Sequence, residues 1–139
     1  VASQRESFLV DAEGTHTEVD AATVSEHLER SEFFWLDLHR PSADELALLQ
    51  EPFGLHPLAI EDAEHFGQRP KLEEFDGFVY LVVFGANADG DGLVEVHCFL
   101  SGRYLVTVHH DDCPAFGDLR TRAAKGHLPA TGAALALYR

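Results

Sequence analysis

Apolar and polar residues follow one another along the chain in patterns that predict a sheet flanked by helices. Phe8 to Val10 and Thr17 to Val19, separated by Gly14, read as two short strands leading into a helix over about Ala21 to Arg30. Trp35 to Leu38 is a short apolar strand that ends before Pro41. Ser42 and Glu45 then have the spacing of a capping box, in which each side chain satisfies the other residue's free backbone N–H. The helix they open carries Leu46, Leu49 and Phe53 on one face. Gly54 suits the left-handed residue that closes a helix, and Pro57 suits a first helical position, where a missing N–H loses nothing. A second short helix is therefore expected from Pro57 to about His65, with Gly67 and Pro70 breaking the chain after it.

Beyond that break, Leu72 to Phe75, Gly77 to Gly85, Leu93 to Leu100 and Tyr104 to His109 read as strands, the last three as antiparallel neighbours. Phe78 to Phe84 is apolar on both faces, as expected of a central strand, whereas Val94, Val96, Cys98 and Leu100 alternate with more polar neighbours. A helix follows from Pro114, with Phe116, Leu119 and Ala123 inward and Gly126 stopping it; Arg120, Arg122 and Lys125 favour its negative end. A last helical segment starts near Pro129 and is still apolar at Leu137 and Tyr138. No repeat or linker divides the chain, so residues 1–139 read as one domain of α/β (α+β) class, helices on a mixed, largely antiparallel sheet.

Composition adds constraints on partners. At 139 residues and 45% hydrophobic, the chain can bury a real core. Its longest apolar run, Phe78 to Phe84, falls well short of the ~18 residues that cross a bilayer, and the N-terminus lacks a signal-peptide pattern, so the chain as it stands is expected to be soluble. It contains no methionine, even at position 1, and reads as a piece of a longer protein. With 24 acidic against 10 basic residues the formal charge is −14, which repels phosphate backbones and attracts cations; nucleic acid is not an expected partner. Cys98 and Cys113 fit reduced thiols.

Four constellations have metal-binding chemistry. Asn87, Asp89, Asp91 and Gly92 match the first half of a calcium loop, but Cys98 stands where a bidentate glutamate is needed, and a plain hairpin connection explains the residues. His109, His110, Asp111, Asp112 and Cys113 crowd together, yet consecutive residues at a strand end point to opposite faces, so a solvated strand end is the simpler reading. Glu61 and His65, four apart, share one helix face. Glu61 and Asp62 diverge by roughly 100° around a helix of about 3.6 residues per turn. By geometry alone they are a solvated acidic face, although each can offer a hard oxygen to a hydrated magnesium ion. Signatures of enzymes are absent: no phosphate-binding glycine loop, nucleophile elbow or paired-histidine zinc motif occurs.

The run Phe53-Gly54-Leu55-His56-Pro57-Leu58-Ala59-Ile60-Glu61-Asp62-Ala63, followed by Gln68-Arg69-Pro70-Lys71, resembles the N-terminal cytoplasmic domain of CorA-type magnesium channels. Trp35-Leu36-Asp37-Leu38, the strand ending Val108-His109, and Pro114-Ala115-Phe116 leading to Arg120 and Arg122 follow the same family in order and spacing. The resemblance implies a helix-sheet-helix sandwich and a regulatory metal-sensing role, not an enzyme. It implies a homopentamer on the cytoplasmic side of the cell membrane, with stalk and pore helices following this domain. In that scheme Mg2+, or another divalent cation such as Co2+ or Zn2+, sits between subunits and stabilises the closed state. Asp62 corresponds to the family's metal-binding aspartate, and Glu61 to a residue near a second site. Their partner carboxylates would lie beyond Arg139. A zinc-transporting branch of the superfamily and a stand-alone metal-binding module are the alternative readings.

Overall fold

The computed structural model of the chain describes residues 7–16, 21–30 and 32–116. The expected strand at Thr17 to Val19, the inward Leu119 and Ala123, the matched Arg120 and Arg122, and the final helix lie outside the described residues. Strands β1 (Phe8–Asp11), β2 (Gly14–His16), β3 (Phe34–His39), β4 (Lys71–Phe75), β5 (Phe78–Ala86), β6 (Leu93–Leu100) and β7 (Tyr104–His109) form one sheet in the order β2-β1-β3-β7-β6-β5-β4. Neighbours are antiparallel except β3 and β7, which run parallel with Asp37 opposite Thr107 and His39 opposite His109. The first hairpin turns earlier than expected, at Ala12 and Glu13, with Gly14 already in β2.

The parallel pair forces a long crossover. After β3, the chain crosses one face of the sheet as α2 (Ala43–Ala47), α3 (Gln50–Phe53) and α4 (Pro57–Ala63), reaches the far edge as β4, and returns through antiparallel hairpins to β7. α1 (Ala21–Glu29) precedes β3. The Ser42–Glu45 capping box is present in full at the start of α2. The single helix expected from Ser42 to Phe53 is instead broken at Leu48 and Leu49, because Pro52 has no N–H for the Leu48 carbonyl and its ring crowds that turn. Leu46, Leu49 and Phe53 are nevertheless all buried. Gly54 closes α3 in the left-handed region at φ 65°.

Strand alternation divides the core into two layers. Phe34, Leu36, Leu38, Tyr80, Val82, Phe99, Val106 and Val108 face the helices, together with Val24, Leu46, Phe53 and Ile60. Trp35, Leu81, Val94, Val96, Cys98 and Leu105 face the other side, where Phe116 from the helical turn beginning at Pro114 packs on Trp35 at 5.2 Å between ring centroids. The fold is thus the expected mixed α/β layering. β5 is apolar on both faces because both layers cover it, not because it is central: it is second from the edge, and β7 lies in the middle.

Candidate functional site

α4 begins where His56 Nδ1 accepts the Leu58 N–H and Pro57 fills the first helical position. Ala59, Ile60 and Ala63 face the sheet, which leaves Glu61 exposed and Asp62 on the half-buried flank. The two carboxylates diverge as helix geometry requires. His65 does not pair with the Glu61 side chain; its Nδ1 donates to the Glu61 backbone carbonyl at 2.7 Å.

Asp62 turns toward β4. Its Oδ2 accepts from Lys71 Nζ at 2.9 Å, and the same ammonium lies 2.8 Å from Glu73 Oε1. Glu73 and Asp62 together hold the Lys71 ammonium above its ordinary range. The loop between α4 and β4 is clasped from below. Gln68 Nε2 donates to the carbonyls of Asp62, which also accepts the His65 N–H, and of His65, at 2.8 and 2.6 Å, tying the loop to the helix end. The backbone N–H groups of Gly67 and Gln68 donate to Glu95 Oε1 at 2.8 and 3.2 Å, with Gly67 at φ 94°, a conformation that favours glycine.

Glu95 is in turn held by the sheet. Its Oε2 accepts from His97 Nε2 at 2.6 Å, and His97 Nδ1 accepts the Tyr80 hydroxyl at 2.8 Å. Burial pushes His97 below its usual range, outweighing the opposing pull of Glu95, so the neutral ring donates through one nitrogen and accepts through the other. Burial would raise Glu95, but its bonds from His97, Gly67 and Gln68 leave it lowered. Phe66 stacks on His97 and on His110, with centroids at 4.2 and 3.8 Å. The arrangement fixes the end of α4 to β6 and holds Asp62 in place at the surface.

A second polar network lies on the opposite face. Asp37, 1% exposed, accepts from the Thr107 hydroxyl and pairs through Oδ2 with His109 Nε2 at 2.8 Å. Trp35 Nε1 donates to Thr107 Oγ1 at 2.9 Å, and His109 Nδ1 donates to the Asp111 carbonyl at 2.6 Å. Both His109 nitrogens therefore face oxygens that only accept. Burial lowers His109, but the hydrogen bond and charge of Asp37 outweigh it, and the net direction is upward. The expectation of a solvated strand end is corrected here: His109 is 4% exposed, because Asp37 on the neighbouring strand supplies the anion that makes its burial tolerable. Asp111 and Asp112 are exposed as expected, and Cys113 is buried, so this crowded stretch does not converge.

These environments predict opposite titrations. By ring-resonance NMR, His109 should titrate above the unperturbed value of about 6.5, and His97 and His110 below it. The stability contributed by His109 is full below about 6.5 and fades as pH rises through its raised folded value; that of His97 and His110 is full above about 6.5 and fades as pH falls below it. Coincident titration of all three would contradict the network.

Asn87 closes the β5–β6 connection: its side chain binds the N–H groups of Asp91 and Gly92 and the Asp91 carboxylate, as a hairpin loop requires. Among the described residues no group of three or more His, Cys, Asp or Glu is arranged to hold a metal. Nor is any described helix long and apolar enough to cross a membrane. Sequence reasoning missed Lys71, Glu95, His97 and Asp37. The available signal was a carboxylate within an apolar strand, as in Trp35-Leu36-Asp37-Leu38, which must find a partner.

Residues 30–139 match the family described as CorA-like Mg2+ transporter protein. YfjQ of Bacillus subtilis, named for metal ion transport, is 37% identical over 90 residues, 65% of this chain and 28% of its own length. The cobalt/magnesium transport protein CorA of Thermotoga maritima is 34% identical over 67 residues, 46% of this chain and 18% of that protein. In three dimensions the chain resembles the full-length CmaX protein, with a TM-score of 0.76 at 18% identity over 96% of this chain and 44% of that one. It also resembles the complete CorA magnesium transporter of Methanocaldococcus jannaschii, with a TM-score of 0.61 at 17% identity over 86% of this chain and 37% of that one.

Proposed function

This chain belongs to the CorA-like Mg2+ transporter family, and we propose that all 139 residues form its N-terminal regulatory domain, a sensor of divalent cations that does not itself conduct them. Within a longer protein the domain would lie on the cytoplasmic side of the membrane and assemble with identical subunits as a homopentamer. Asp62 would supply one half of a Mg2+ site completed by carboxylates of a neighbouring stalk, and Glu61 would lie near a second site. The observation that carries this reading is the setting of Asp62. Its carboxylate is half-exposed at the rim of α4, while its backbone is immobilised through Gln68 and Glu95. A hard, hydrated ion such as Mg2+ needs few protein ligands, and a fixed carboxylate at an acidic surface offers one. Bound metal would offset repulsion between acidic subunits, and its loss would release them.

The test is protection of the full-length protein from chymotrypsin as Mg2+ is raised. Asp62→Ala should move the half-protecting concentration upward by about tenfold, the equivalent of roughly 1.4 kcal/mol. An unchanged midpoint would remove Asp62 from the site.

A further inference from the structure

The ammonium of Lys71 occupies the place on Asp62 that a divalent cation would take. Its Nζ is 2.9 Å from Asp62 Oδ2 and 2.8 Å from Glu73 Oε1, so two carboxylates from different elements already share one cation. Lys71 is well placed to stay there. Its backbone pairs with Val82 in the sheet, and its ammonium lies 5.4 Å from the centroid of the Tyr80 ring. A tethered group competes at an effective concentration set by its tether, with no encounter to wait for.

We propose that Lys71 is a built-in competitor for the metal at Asp62, so that a divalent cation binds by exchange: the ammonium leaves Asp62 Oδ2 and remains with Glu73. This rests on the reading of Asp62 as a metal ligand. Glu73 keeps the displaced ammonium paired, so the exchange strands no charge. The lysine raises the metal concentration at which the site fills and thereby sets the threshold of the sensor. Because both partners of the pair are partly exposed, at 31% and 42%, the handicap is modest. An exposed pair of this kind corresponds to a factor of about two to five in metal affinity.

The experiment compares Mg2+ midpoints for protection of the full-length protein from chymotrypsin, which does not cut at lysine or arginine. Lys71→Gln should lower the midpoint about two- to five-fold. Lys71→Arg, which keeps the charge and can hold the carboxylate with two parallel bonds, should leave it at or above the wild-type value. Arg69→Gln removes the same charge from an exposed neighbour and should shift it less than Lys71→Gln does. In an Asp62→Ala background, Lys71→Gln should have no effect. A midpoint unchanged or raised by Lys71→Gln, while Asp62→Ala still raises it, would overturn the competitor role and leave the metal site standing. Equal decreases from Lys71→Gln and Arg69→Gln would overturn it in favour of bulk electrostatics. A midpoint unmoved by Asp62→Ala would overturn both.

Discussion

His109→Ala is expected to destabilise the protein by about 3–5 kcal/mol, the loss that follows when one partner of a buried ion pair is removed. His109 and Asp37 are 4% and 1% exposed and lie 2.8 Å apart. Alanine would leave the Asp37 carboxylate with the Thr107 hydroxyl as its remaining side-chain partner in that network, deep between β3 and β7. The penalty comes from the stranded anion more than from the lost contact. The double variant His109→Ala, Asp37→Ala should therefore be less unstable than the two single losses summed, because no charge is left uncompensated. Urea unfolding followed by Trp35, the chain's one tryptophan and a donor to the same Thr107, reads the effect directly. A cost below about 1 kcal/mol, the ceiling for an exposed pair, would mean that the pair is hydrated.

Glu95→Ala should rank next, at about 3 kcal/mol, with an effect that extends to the loop above it. Hydrogen bonds to a charged acceptor contribute about 1.5–3 kcal/mol, and Glu95 accepts from Gly67, Gln68 and the fully buried His97. The two loop N–H groups can recover water, but His97 Nε2 loses its partner inside the protein. Amide exchange at Gly67 and Gln68 should accelerate, while that of β7 changes only with global stability. Glu95→Gln, which keeps an acceptor oxygen, should fall between wild type and Glu95→Ala. Exchange at Gly67 and Gln68 as slow as in wild type would show that the loop does not depend on the clasp.

Local signals in the sequence reached far into the fold. The Ser42–Glu45 box, Gly54 and Pro57 act through backbone chemistry of a few adjacent residues, and each stands where that chemistry predicts. Alternation likewise identified the strands, since a strand's faces are decided by its own residues. What depended on distant parts of the chain was less legible. Phe78 to Phe84 looks central because burial on two faces leaves the same apolar pattern wherever a strand lies in the sheet. Pro52 was the overlooked local signal, and it splits the helix before it. For the candidate site, family resemblance pointed to Asp62 and Glu61, but nothing in the residues near them revealed the Lys71 ammonium on Asp62. Glu95 and His97 read as the polar side of an alternating strand. They prove to be support, because α4 and its loop cover the face that alternation alone assigns to water.

The parallel pairing of β3 with β7 has one more consequence. Apolar residues alone would accept a slip of two positions along this seam, since Phe34, Leu36 and Leu38 would still meet the same face as Tyr104, Val106 and Val108. A slip that set Asp37 opposite Leu105 would carry it away from His109 and leave a carboxylate and an imidazole without each other in the interior. The polar contacts thus oppose an alignment that the hydrophobic pattern permits. Through them the register is specified at the one parallel joint among the described strands, where no hairpin guides the pairing.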